Sequence, residues 1–295
     1  GTTKTRKSLL ITSIIFSKNR PLQLDLCLNS IKENFSQSTE NIVIHHNDEP
    51  FDDAQKTIES EHRDVCFRAQ TDSLFHDVYK IVKESKNQYI CFFTDDDIFY
   101  APFACEDYDF LEDTNISCLS LRMGVNIVER SHGGETGPDT CKKGWQTDNG
   151  MILWPKTFHG YGSYWSYDLS VDGHIFKKSD MKKMTSELWE LSRFRSWKQT
   201  PNEFETAIQR FWATGPNLIM APHHSVVVNS PNNRVQETHN ENRSGDVFDY
   251  DQNTLLSKYE SGARINFKTI YALLRLPFNE IKCPHTEIDI LKGLE

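Results

Sequence analysis

Over its first hundred residues the chain alternates between apolar runs short enough to be strands and amphipathic stretches long enough to be helices, a pattern few folds accommodate. LLITSIIF (9–16) is continuously apolar apart from Thr12 and Ser13 and rich in β-branched residues, as in a strand covered on both faces. SKNRP interrupts it. Pro21 then suits the first turn of a helix through LQLDLCLNSIKENF, where Leu24, Leu28 and Ile31 recur at helical spacing. NIVIHH (41–46) predicts a second strand, NDEPFDD a polar loop and AQKTIESEH a helix. VCFRA (65–69) is a third strand, SLFHDVYKIVKES (73–85) a helix with Leu74, Val78, Ile81 and Val82 on one side, and QYICFF (88–93) a fourth strand. Connections of this kind are right-handed crossovers between parallel strands. The expected fold class is therefore α/β, a mostly parallel sheet flanked by helices. Such sheets bind ligands beyond the carboxyl ends of their strands, where SKNRP, NDE and the triplet Asp95-Asp96-Asp97 all fall.

The regularity fades after residue 100. ISCLSLRMG (116–124) predicts a strand, residues 131–150 a long polar loop, and 151–176 an aromatic-dense stretch. SDMKKMTSELWEL reads as a helix capped by Ser179, and TPNEFETAIQRFWA as one capped by Thr200 with Pro201 in its first turn. NLIMAPHHSVVVNS predicts strand, turn and strand. NTLLSKYESG is a further helix, and TIYALLRLPF an apolar stretch near the end.

At 295 residues with 37% hydrophobic and 25% charged residues the chain can bury a substantial core. A net charge of −9 gives no electrostatic footprint for nucleic acid. The seven cysteines are widely spaced without a C-x-x-C pair, which argues against a disulfide framework or zinc site and for a reducing compartment. No apolar run reaches the roughly 20 residues of a membrane span, so the expectation is a cytoplasmic protein.

The stretch YICFFTDDDIFY (89–100) sets three carboxylates directly after a buried strand. Like charges there are costly unless something positive neutralises them. Either they leave the core as a solvated turn, or they bind a cation. Oxygen donors at a strand end suit Mg²⁺ or Mn²⁺ carrying a diphosphate.

Four segments in this order resemble the GT-A fold nucleotide-sugar glycosyltransferases, and most of all glycosyltransferase family 2: SIIFSKNRPLQLDLCLNSI, the NDE loop, FFTDDDIF in the place of the D-x-D motif, and DGHIFKKSDM followed by PNEFETAIQR. The resemblance spans residues 9 to 235. It implies a Rossmann-like GT-A domain over 1–245, with a nucleotide-binding half (9–100), an acceptor half (101–245) and a helical C-terminal extension (246–295). It implies transfer of a sugar from a UDP-, GDP- or dTDP-linked donor to a hydroxyl of a glycan or lipid-linked acceptor, with inversion, aided by Mn²⁺ or Mg²⁺. Asp97 would bind the metal directly. Asp95 would hold the metal's water or the ribose, beside Asp96. Ser17, Asn19 and Arg20 would line the nucleoside, and Asp48 or Asn47 would meet the base edge. Asp172 and Gly173 match the acceptor strand.

The aromatics Trp154, Tyr161, Tyr164, Trp165 and Tyr167 suit a sugar face or a core, with Trp165 assigned to the acceptor. The family's general base opens a helix in an E-D pair, but here the place reads Asn202-Glu203-Phe204-Glu205. Glu205 and Glu203 are both candidates, with Glu205 preferred because Glu203 suits a capping box with Thr200. His223-His224 could add a metal ligand, and Arg234 or Arg243 could close over a diphosphate. The extension could mediate dimerisation, dock to another enzyme, rest on a membrane surface through Leu273, Leu274, Leu276 and Phe278, or simply pack. Two other readings compete: a non-catalytic nucleotide- or sugar-binding module, and a D-x-D phosphohydrolase with Asp95 as nucleophile.

Overall fold

The computed structural model describes residues 10–104, 114–131, 136–148, 150–157, 160, 162–167, 169–235, 247–275 and 281–295. Tyr161, Arg243, Leu276 and Phe278 lie outside the described residues. The first half is the expected alternation of β1 (Ile11–Ser17), α1 (Pro21–Asn34), β2 (Ser38–His45), α2 (Asp52–Glu61), β3 (Cys66–Ala69), α3 (Leu74–Glu84) and β4 (Tyr89–Thr94). Next come β5 (Asp97–Phe99), β6 (Ile116–Ser120), a small hairpin of β7 (Glu129–Arg130) and β8 (Gly137–Pro138), β9 (Gln146–Asp148) and β10 (Met151–Pro155). Then follow β11 (His174–Lys177), α4 (Lys178–Ser192), α5 (Pro201–Phe211), β12 (Leu218–Pro222), β13 (Val227–Asn229), α6 (Gln252–Glu260) and α7 (Phe267–Arg275).

Among the described residues one sheet runs in the order β3-β2-β1-β4-β11-β6-β12-β10-β9. Parallel ladders join β3, β2, β1 and β4, and also β6 and β12, while β11 and β10 are antiparallel to both of their neighbours. All other strands of this sheet point one way, so it is mostly parallel with two reversals, an α/β arrangement.

The two phenylalanines in the middle of β4 face opposite sides of the sheet, as successive strand residues must. Phe92 packs with Phe16, Phe176 and Phe204. Phe93 packs with Phe35 and Phe99. The Phe92 side therefore holds α5 through Phe204, which is fully buried. Helices α1, α2, α6 and α7 group together, as do α3, α4 and α5.

The sequence predicts two capping residues. Thr200 caps α5, its hydroxyl accepting from the Glu203 amide at 3.2 Å. Ser179 does not cap α4, whose N-cap is Lys177 with no side-chain bond. The reason is local: β11 runs straight into the helix, and the Lys178 amide already donates to the Gln88 carbonyl at 2.9 Å.

Residues 247–295 return to the body. Arg264 stacks on the Tyr259 ring at 3.7 Å and donates to Glu61 of α2 at 2.7 Å. Leu274 is buried and Leu273 partly so. No helix among the described residues is long and apolar enough to cross a membrane.

Gly173 precedes β11 with φ +72, and a Cβ there would lie 3.1 Å from Val227 Cγ1. Gly173→Ala is therefore expected to cost about 1–3 kcal/mol of stability through backbone strain and crowding. Denaturant titration reads the loss directly.

Candidate active site

The triplet does not simply run out into water. Thr94 to Asp97 form the tight link between β4 and β5, closed by the Thr94 amide donating to Asp97 Oδ2 at 2.9 Å. Asp95, Asp96 and Asp97 are 3%, 8% and 2% exposed, so the solvated-turn reading fails.

Each carboxylate is held differently. Asp95 Oδ2 accepts from the Ser17 hydroxyl (3.0 Å) and the Lys18 amide (2.9 Å), and its Oδ1 from Arg20 Nη1 (3.0 Å). Asp96 Oδ2 accepts from the same Arg20 nitrogen at 2.8 Å, and its Oδ1 from Thr94 and Asn229. Asp97 Oδ1 accepts from Asn229 Nδ2 at 3.0 Å.

Arg20 is thus a buried internal counter-ion. It occupies the N-cap position of α1, where a donor-only guanidinium cannot cap, and instead spans Asp95, Asp96 and both the side-chain and backbone oxygens of Asn233. Burial alone would lower its pKa; Asp96 and Asp95 reverse that and raise it.

Asn19 lies at φ 54, the one non-glycine residue with positive φ among the described residues. A short amide side chain tolerates that conformation when it can bond locally. It does so here: Asn19 Nδ2 donates to Asp48 Oδ2 (2.6 Å), Asn19 Oδ1 accepts from the Asp48 amide (2.9 Å), and Asn47 Oδ1 accepts from the Asn19 amide (2.8 Å). The SKNRP and NDE loops are therefore locked to one another. Asp48 stays exposed at the rim, Asn47 half-buried and Asn19 buried.

Asp172 arrives from the far side of β4. Its Oδ1 meets the Thr94 hydroxyl at 2.9 Å, and its Oδ2 lies 3.5 Å from Arg122 Nη1 and 3.8 Å from His285 Nε2. Thr94 has one hydroxyl proton for two carboxylates, Asp96 and Asp172. The other contact needs a proton on a carboxyl. Burial first, then the Glu205 charge, push Asp172 up to about 7, so Asp172 is the natural holder.

Burial also pushes Asp95 up to about 6 and Asp97 well above the usual carboxylate range, Asp97 being crowded further by Asp172 and Asp96. Burial acts on Asp96 too, but Arg20, Thr94 and Asn229 outweigh it and hold that residue low. Four buried carboxyl groups, Asp95, Asp96, Asp97 and Asp172, have Arg20, Arg122 and His285 beside them, and burial holds Asp97 and Asp172 toward their neutral forms; a hard divalent cation, which prefers such oxygen donors, would favour their ionised forms. Among the described residues no group of three or more His, Cys, Asp or Glu already encircles one position.

On the other side, Glu205 Oε1 accepts a short bond from the Tyr167 hydroxyl and its Oε2 one from the Val171 amide at 3.1 Å. Burial and the Glu205 charge push the Tyr167 phenol up, so it remains a donor. Glu203 is exposed on the first turn of α5. Trp154 and Trp165 are buried, packed edge to face at 4.9 Å, and Trp165 lies under Trp145, which is 44% exposed. The open aromatic face there is that of Trp145. His223 and His224 are exposed in the turn after β12, where they contact one another at 3.0 Å. Arg234 is exposed.

Several partners carried no signal in the sequence. Arg122 is 1% exposed, donates to the Tyr167 carbonyl, and sits over the Tyr164 and Tyr167 rings. Asn229 reaches the triplet only because β13 pairs with β5 in the register Asn229 to Asp97. His285 comes from the segment read as an extension: it bridges to Asn229 and stacks on Tyr164 at 5.8 Å.

No protein-family model matches the chain, and no curated protein sequence does. Among solved structures it is similar to S. aureus TarS residues 1–349, at 15% identity over 72% of this chain and 58% of that one, with a TM-score of 0.42. It is also similar to the mannosyltransferase PcManGT from Pyrobaculum calidifontis in complex with GDP-Man and Mn²⁺, at 12% identity over 75% of this chain and 55% of that one, with a TM-score of 0.38. The chain spans less than two thirds of either.

Proposed function

We propose that the protein is a metal-dependent glycosyltransferase that moves a sugar from a UDP-, GDP- or dTDP-linked donor to a hydroxyl of a glycan or lipid-linked acceptor, with inversion. The observation that carries this reading is the cluster of four buried carboxyl groups at the carboxyl edge of β4, with the Glu205 charge acting on Asp172. In this reading residues 9–100 bind the nucleotide and 101–245 the acceptor, and 246–295 form an extension that contributes His285. Asp97 would hold Mn²⁺ or Mg²⁺ with help from His285. The cation would offset the charge gained by the leaving diphosphate as a Lewis acid.

The chain's own groups do the rest. The locked pair Asn19 and Asp48, with Asn47, presents a fixed polar rim for the nucleoside. Arg20 and Ser17 hold Asp95 in place. Asp172 takes an acceptor hydroxyl on its free lone pairs, and Glu205 removes the proton from the attacking hydroxyl. Tyr167 and the Val171 amide aim that carboxylate.

A thermal-shift panel of nucleoside diphosphates with Mn²⁺ or with EDTA tests the reading. One nucleotide is expected to raise Tm only with metal, and Asp97→Asn to abolish that shift. In the ligand-free protein the same substitution is expected to change Tm little, because relief from the Asp172 and Asp96 charges is offset by the loss of one of the two donors, the Thr94 amide or Asn229, that Asp97 now satisfies. No metal-dependent shift with any nucleotide would sink the proposal.

A further inference from the structure

The last turn of α4 and the stretch joining it to α5 depart from the rest of the surface. Leu191, Phe194 and Trp197 recur at every third residue and stand 53%, 83% and 36% exposed. Arg193, Arg195 and Lys198 lie between and beyond them, and residues 191–199 contain no acid, in a chain of net charge −9. Single exposed apolar residues are ordinary, but contiguous ones mark contact surfaces.

The stretch is pinned at both ends by α3. Trp189 stacks on His76 and Tyr79 at 4.4 and 5.3 Å, and Trp197 meets Phe75 edge-on at 6.2 Å. Gln199 Oε1 accepts from the Phe75 amide at 2.9 Å and from the Ser73 hydroxyl at 3.1 Å. The apolar groups between these pins are therefore held out in water.

The chemistry selects among occupants. A nucleic acid would make no use of Leu191 or of an apolar face this size. Arg193 is paired with Glu190 at 3.1 Å, and a second copy meeting the same face would still set Arg195 and Lys198 against their own counterparts. An anionic lipid surface satisfies every group: guanidinium and ammonium at the phosphates, the indole at the headgroup level, Leu and Phe among the first methylenes.

We infer that residues 191–198 seat the protein on an anionic membrane surface. Gln199 leads directly into Thr200, the cap of α5, so the seated face adjoins the helix that carries Glu205. The inference stands on the patch alone and does not depend on the proposed reaction.

The test is co-sedimentation of the full chain with vesicles of phosphatidylcholine and phosphatidylglycerol (3:1) and of phosphatidylcholine alone, at low and at high salt. Binding is expected on the anionic vesicles only and to weaken with salt. Phe194→Ala, at a site too exposed to matter for folding, should weaken it about tenfold, and Arg195→Glu with Lys198→Glu by at least about tenfold. No binding, equal binding to both vesicles, or binding indifferent to these variants would overturn the inference. So would concentration-dependent dimerisation in sedimentation velocity that Phe194→Ala abolishes, since a second copy would then cover the face.

Discussion

Arg20→Met is expected to destabilise the protein by about 3–5 kcal/mol, the usual cost of stranding one side of a buried ion pair. One guanidinium serves Asp95 and Asp96 at 3.0 and 2.8 Å and Asn233 twice, with all of these groups buried. Methionine fills much of the same volume, so the loss reports charge rather than a cavity. Denaturant midpoints should show it with an unchanged slope. Adding Asp95→Asn and Asp96→Asn to Arg20→Met should recover most of the loss, a coupling that packing alone would not produce. Arg20→Lys should rescue little, because an ammonium cannot span two carboxylates and Asn233 together. If Arg20→Met were neutral, the two aspartates would have to be protonated or hydrated in the folded protein, and the account of the charge balance would fall.

This prediction also separates what the sequence could and could not carry. Strands β1 to β4 were legible because a doubly covered strand leaves a continuous apolar run and an intervening helix leaves a stripe. The DDD triplet was legible as unusual, since nothing local neutralises it. Its neutraliser was named, but for another role: Arg20 stands five residues before Asp25 in an ordinary polar loop, and only the return of β4 beside β1 brings it to Asp95. Asn229 and His285 are further cases. A lone Asn after three valines and a lone His after a proline carry no periodic signal, and they reach Asp97 and Asp172 only through the β13 and tail pairings. The misplaced cap at Ser179 has the opposite origin. A good capping residue was present, but strand β11 supplied a backbone partner for the helix start first. Trp165, chosen for the acceptor, is 1% exposed; from sequence alone a buried tryptophan and a sugar-stacking one look the same.

Glu205→Gln is expected to lower turnover by about 10²- to 10⁴-fold, the range for loss of a general base. The readout is release of the nucleoside diphosphate from whichever donor stabilises the protein. Affinity for that nucleotide should not change, because Glu205 acts on the site through Asp172, away from the loops after β1 and β2 that the proposed reading gives to the nucleoside. Glutamine can offer its oxygen to only one of the two donors that Glu205 now satisfies, Tyr167 or the Val171 amide. A modest fall in Tm is therefore expected too, and turnover must be compared well below it. Glu203→Gln supplies the control. Its side chain is exposed on the same turn, and the cap at Thr200 uses only its amide, so turnover should stay near wild type. Tyr167→Phe should fall between the two, leaving the carboxylate in place but less firmly aimed, with kcat affected more than KM. Loss of turnover in Glu203→Gln rather than Glu205→Gln would move the base to the exposed residue. Loss in neither, with nucleotide still bound, would leave a binding module on this fold, in which the Tyr167 hydroxyl and the Val171 amide hold Glu205 as a structural carboxylate only.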